Sequence, residues 1–144
     1  MQIYLPFFIM EKLPLPPCCY RVSVKAIIFD ETRTKILLFK EDDDTRSLPW
    51  WGLEFGYNPH EELARELKEE AGLEVMQIDK RPLSITTRKK RIKDLRLTNI
   101  MYETKVKDLN FTPSKECKEL WFFTKKEAQK LTRHLQNTID PIDF

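Results

Sequence analysis

Asn58-Pro-His-Glu-Glu-Leu-Ala-Arg-Glu-Leu-Lys-Glu-Glu-Ala-Gly72 is the best-punctuated stretch of the chain. Asn58 has an N-cap side chain, Pro59 stands at the first helical position where its missing N–H costs nothing, Glu61 follows three residues after the cap, and Gly72 supplies a left-handed stop. The spacing predicts a helix over 59–71. At about 100° per residue, Leu63, Ala64, Leu67 and Ala71 share one stripe, and Glu62, Arg65, Glu66, Glu69 and Glu70 share the stripe beside it. Like charges three and four residues apart destabilise a helix by about 0.2–0.5 kcal/mol per pair, and Arg65 offsets only part of that. A hard divalent cation would account for the crowd, because Mg²⁺ takes a few carboxylate oxygens and completes its shell with water and substrate phosphate. A solvated acidic face is the competing explanation.

Upstream, Val22, Val24, Ala26 and Ile28 alternate, and Lys35-Ile-Leu-Leu-Phe39 is an apolar run after the turn Asp30-Glu-Thr-Arg-Thr34, so the two read as strands of one hairpin. The acidic loop Glu41-Asp-Asp-Asp44 reads as a solvated turn and leads through Pro49 into Trp50-Trp-Gly-Leu-Glu-Phe-Gly-Tyr57. Downstream, strands are expected at about 73–78, 83–87, 97–106 and 120–123. A capping box, Thr124-Lys-Lys-Glu127, opens a closing helix whose stripe is Ala128, Leu131 and Leu135. Strands mixed with two helices, without regular βα alternation, indicate an α/β (mixed α+β) class with helices covering a mixed sheet.

The 144 residues suffice for one domain and one core, expected over 20–144. Residues 1–19 read as an extended arm or an overhang, since they include Pro14-Leu-Pro-Pro17 and a second possible start at Met10. A net charge of +2 excludes global electrostatic attraction to nucleic acid or anionic lipid. Three cysteines, two of them adjacent, make neither a disulfide framework nor a zinc spacing, which points to reduced thiols and a cytoplasmic protein. The apolar first ten residues lack a basic n-region and a cleavage site, and no run reaches the roughly 18 apolar residues of a membrane span.

Arg65-Glu-Leu-Lys-Glu-Glu-Ala-Gly-Leu73 resembles the second half of the Nudix box, G-x5-E-x7-R-E-U-x-E-E-x-G-U with U a bulky aliphatic residue, and matches it at every fixed position from Arg65 onward. The resemblance implies an α/β/α sandwich with a mixed central sheet. It also implies hydrolysis of a diphosphate linkage in a nucleotide or nucleoside diphosphate derivative, with Mg²⁺ or Mn²⁺ bridging the diphosphate. By similarity Glu66, Glu69 and Glu70 hold metal, Arg65 orients a neighbouring carboxylate, and Glu66 is the chosen general base. Glu116, in a loop before the last strand, is a further metal-binding candidate, with Glu119 as its competitor.

The first half of the box departs from the pattern. With the register fixed at Arg65, Tyr57 occupies the place of the box Glu and Trp51 that of the box Gly; starting instead from Gly56-x5-Glu62 leaves two residues before Arg65 where seven belong. Four or five loop residues are missing relative to the family pattern, so impaired turnover is expected, and a catalytically degenerate domain that binds a nucleotide or a partner is the alternative function. Trp51 and Phe55 are candidate base-stacking residues, and Arg88, within Arg88-Lys-Lys-Arg91 with Lys93 and Arg96 beyond, is a candidate for substrate anions. No aromatic residues interleave that basic tip, which argues against an RNA-binding module. The expected partner is a nucleotide-type small molecule, with neither nucleic acid nor membrane, for a monomer or homodimer.

Overall fold

The structure, a computed structural model, describes residues 19–91 and 94–144. The expected arm up to residue 18, Cys18 within it, and Lys93 lie outside the described residues. In chain order the elements are β1 (Cys19–Ile27), β2 (Lys35–Lys40), β3 (Arg46–Ser47), β4 (Trp50–Gly52), α1 (Pro59–Ala71), β5 (Val75–Ile78), β6 (Ser84–Lys89), β7 (Leu95–Val106), β8 (Glu119–Thr124), α2 (Lys125–Leu131) and α3 (Arg133–Ile139).

β1 is the organising strand. It pairs in parallel with β7 from Cys19↔Leu95 to Ile27↔Glu103, and antiparallel with β4 through Val24↔Trp51 and Lys25↔Trp50. β7 also pairs antiparallel with β6 and, near its C-terminal end, with β5, completing a mixed sheet. A second, antiparallel sheet has the order β3-β2-β8. The expected β1–β2 hairpin is therefore corrected. Its turn forms, with Asp30 Oδ1 accepting from Thr34 N at 2.9 Å and Lys35 N at 3.0 Å, but one bridge, Phe29↔Ile36, is where pairing between the strands stops. Beyond it both strands are buried on both faces, and each takes partners distant in sequence.

The alternating faces of β1 divide the interior. Val24, Ala26 and Ile28 pack with Leu37 and Phe39 against Leu63, Leu67 and Ala71 of α1. Ile27, Ile36 and Leu38 pack on the opposite side against Ala128 of α2 and Leu135 and Ile139 of α3. The result is the expected α/β/α sandwich. The single closing helix is corrected to two, because Thr132 is extended (φ −149°, ψ 147°) and its hydroxyl caps the second by accepting from Leu135 N at 3.0 Å. Leu131, placed on the expected stripe, is 37% exposed at that break.

Candidate active site

α1 forms as its sequence dictates. Asn58 Oδ1 accepts from His60 N at 2.9 Å and Glu61 N at 3.4 Å, and Gly72, with φ +68°, closes the helix through Leu67 and Lys68 carbonyls. Burying the leucine stripe turns the acidic stripe toward β4 and the loop after β7. There Arg65 gathers three carboxylates: it bonds Glu62 and also Glu66 at 2.6 Å and Glu69 at 2.7 Å. These hydrogen bonds, Glu62 first, hold the Arg65 guanidinium protonated far above its ordinary range. Glu62 is 3% exposed and leaves Oε2 without a partner. Burial pushes the Glu66 carboxyl above its ordinary value, and the neighbouring guanidinium opposes that shift. Glu69 is exposed.

Glu70 stands apart from this cluster. It lines a cavity of about 390 Å³ with Phe39, Trp50, Trp51, Gly52 and Glu116. Ser114 Oγ accepts from Glu116 N at 3.2 Å and Cys117 N at 3.1 Å, a local turn that presents Glu116 to the cavity. Burial first, and then the neighbouring Glu116 carboxyl at the same cavity, holds the Glu70 carboxyl well above the carboxylate range. The buried indole N–H of Trp51 faces the same carboxyl and opposes the shift. Cys117 is buried beside this pair, and its thiol is pushed up to about 12 by burial and by Glu70, so it stays protonated at neutral pH.

Two carboxyl groups forced together can be relieved by a proton or by a cation. Among the described residues no three His, Cys, Asp or Glu side chains gather as a metal cluster. Glu70 and Glu116 form an open pair. That donor set fits Mg²⁺ or Mn²⁺, which are held by one or two carboxylates and complete their shells with water and phosphate, and it does not fit a closed zinc site.

The chain leaving β4 is held from β1. The Arg21 guanidinium lies against Gly52, where a Cβ would overlap it, and bonds Leu53 O at 3.5 Å and Glu54 at 2.9 Å. The following turn carries Phe55 fully into solvent and leaves Tyr57 59% exposed. Trp51 is 6% exposed, within the α1-side core, while Trp50 points to the other face of the sheet. His60 packs edge-on to Tyr102, with ring centroids 4.6 Å apart.

Arg88 is not at the carboxylate cavity. It lies opposite Leu97 in β6, partly buried, with Nε buried and unpartnered. Sequence reasoning also missed Ser23, Lys25 and Asn99, which are buried polar residues at 0%, 4% and 1% exposure. The signal available was three polar side chains at strand positions whose neighbours are apolar, and it does not reveal that a second layer covers them.

No family model and no curated relative matches the sequence. Solved structures do. A UDP-X diphosphatase aligns with 93% of this chain and 67% of its own, at 22% identity and TM-score 0.69. A NUDIX hydrolase from Nitrosomonas europaea aligns over 85% and 88%, at 18% identity and TM-score 0.67. An ADP-ribose pyrophosphatase from Streptococcus suis aligns over 81% and 87%, at 25% identity and TM-score 0.58.

Proposed function

The chain has the Nudix fold, and we propose that it hydrolyses a diphosphate linkage in a nucleotide or nucleoside diphosphate derivative with the help of a divalent cation. The observation that carries this reading is the meeting of Glu70, from the last turn of α1, with Glu116 at one cavity. The cavity has the volume of a small-ligand cleft, roughly 300–1,000 Å³. Glu70 and Glu116 would hold the cation. When bound, the cation supplies charge neutralisation on non-bridging phosphate oxygens and acidifies water. Glu66, one helical turn from Glu70 and raised in pKa by burial, is the proposed proton acceptor. Arg65 fixes Glu66 by a charge-assisted hydrogen bond. Glu69, held here by Arg65, would be a further ligand of the cation.

A second reading, binding without turnover, is favoured by the 53–57 turn: Tyr57 offers a neutral phenol where the box supplies a carboxylate, and the loop before it is short. A product-release screen over nucleotide diphosphate derivatives, with and without Mg²⁺ or Mn²⁺, separates the two. Metal-dependent release that Glu70→Gln lowers by on the order of 10²-fold supports the hydrolase. Saturable binding of the same compounds without release supports the second reading, and neither binding nor release would sink both.

A further inference from the structure

We propose that the gap between the two sheets at the β1–β2 turn binds a small organic cation with an apolar body, whose charged group takes the place that Arg33 holds between Phe29 and Glu103. The gap is a cavity of about 770 Å³, within the range of small-ligand clefts. Its floor is apolar: Ile28 stands just past β1, Val106 ends β7, Phe122 comes from β8 and Leu109 from the loop after β7. Residues 30–33 of the turn rim this cavity, whereas Phe39 and Glu41, at the other end of β2, line the carboxylate cavity. β2 thus separates the two sites. A ligand here is not the diphosphate compound, and its binding does not depend on turnover.

Arg33 stands in for the ligand's head group. Its Cζ lies 4.1 Å from the centroid of the Phe29 ring, and its guanidinium bonds Glu103, whose side chain is 16% exposed. A carboxylate so far out of water requires a cation beside it. Arg33 meets that need from a turn tip with its own side chain 52% exposed, and a pair so open to solvent contributes little. An organic cation that displaces it keeps the bond to Glu103 and the ring of Phe29, and adds the burial of its body on the apolar floor. The displaced guanidinium returns to water.

Charge at the mouth selects the sign of the ligand. Asp30, Glu31 and Asp108 also line the cavity and form no ion pair among the described residues, and Lys105 is the unpaired cation that opposes them. An anion is repelled, a metal ion has no use for the apolar floor, and a neutral apolar molecule leaves Glu103 to Arg33.

Phenylbutylamine, phenylbutanol and phenylbutanoate share one frame and differ in charge, so calorimetric titration of the whole chain with each reads the head group alone. The amine is expected to bind at least about tenfold more tightly than the alcohol and the acid. Arg33→Gly, which suits the φ of +56° at that position, vacates the place without straining the turn and should tighten the amine by about tenfold while leaving the alcohol unchanged. Phe29→Leu and Glu103→Gln should each bring the amine within about threefold of the alcohol. Equal affinity for the three compounds in the parent would overturn the site, as would an amine affinity that neither Arg33→Gly nor Glu103→Gln alters. No binding in the parent rejects it too, whether a second copy of the chain covers the cavity or nothing does.

Discussion

Lys25 is costly to fold. Burial, reinforced by Arg88, lowers its pKa from 10.5 to about 8. Because the folded value lies below the unfolded one, both states are protonated below pH 8 and the full penalty is present there. Between about 8 and 10.5 the unfolded chain binds more protons, so stability rises with pH by up to about 3 kcal/mol. Lys25→Met should therefore raise the melting temperature at pH 7 and flatten the profile from pH 8 to 10.5 relative to the parent. Parallel thermal-denaturation profiles for the two proteins would show that the ammonium is solvated. The sequence could not announce this residue. In the alternation of Val22, Val24, Ala26 and Ile28, Lys25 reads as a solvent-facing strand position, and what hides it is α3 and Trp50, which come from elsewhere in the chain.

At the scale of the element, α1 was the legible part because its signals are local. Asn58, Pro59, Gly72 and the leucine stripe act within a few residues of one another, and each is found in the role its chemistry assigns. The β1–β2 pair was misread for the converse reason. A turn such as Asp30–Thr34 is local, but the partners that β1 and β2 take, β7 and β8, lie far along the chain and leave no mark in either strand. Within α1 the acidic stripe was visible and its internal division was not: Glu62 is buried under Arg65, Glu69 is exposed, and Glu70 alone meets Glu116. That division is testable. Arg65→Met strands the buried Glu62 carboxylate and should cost about 2 kcal/mol or more in urea unfolding, whereas Glu69→Gln, an exposed member of the set, should change stability by less than about 0.5 kcal/mol. Adding Glu62→Gln to Arg65→Met should recover much of the loss, since the orphaned charge is gone. Additive losses would mean that Glu62 and Arg65 do not act as a pair.

Across the whole molecule, the carboxylate cavity is where three separately stabilised parts meet. Glu70 belongs to the α1 layer, Trp51 and Gly52 to the edge of the mixed sheet, and Glu116 to the loop between β7 and β8 that ties that sheet to the antiparallel one. A cation held by Glu70 and Glu116 therefore links segments more than forty positions apart, and binds a site that the unfolded chain lacks. Mass action then sets the scale: at a concentration of about 100 Kd, a ligand specific to the folded state adds about 2.7 kcal/mol. For a domain of this length each kcal/mol moves the melting temperature by about 2–4 °C, so Mn²⁺ or Mg²⁺ with a non-hydrolysable diphosphate should raise it by about 5–11 °C. Glu70→Gln and Glu116→Gln should each abolish most of that shift while leaving the metal-free protein as stable as the parent or more so, because either change relieves the pair of its repulsion. A shift preserved in both variants would place the cation elsewhere, and a shift lost in Glu69→Gln alone would move it to the Arg65 cluster.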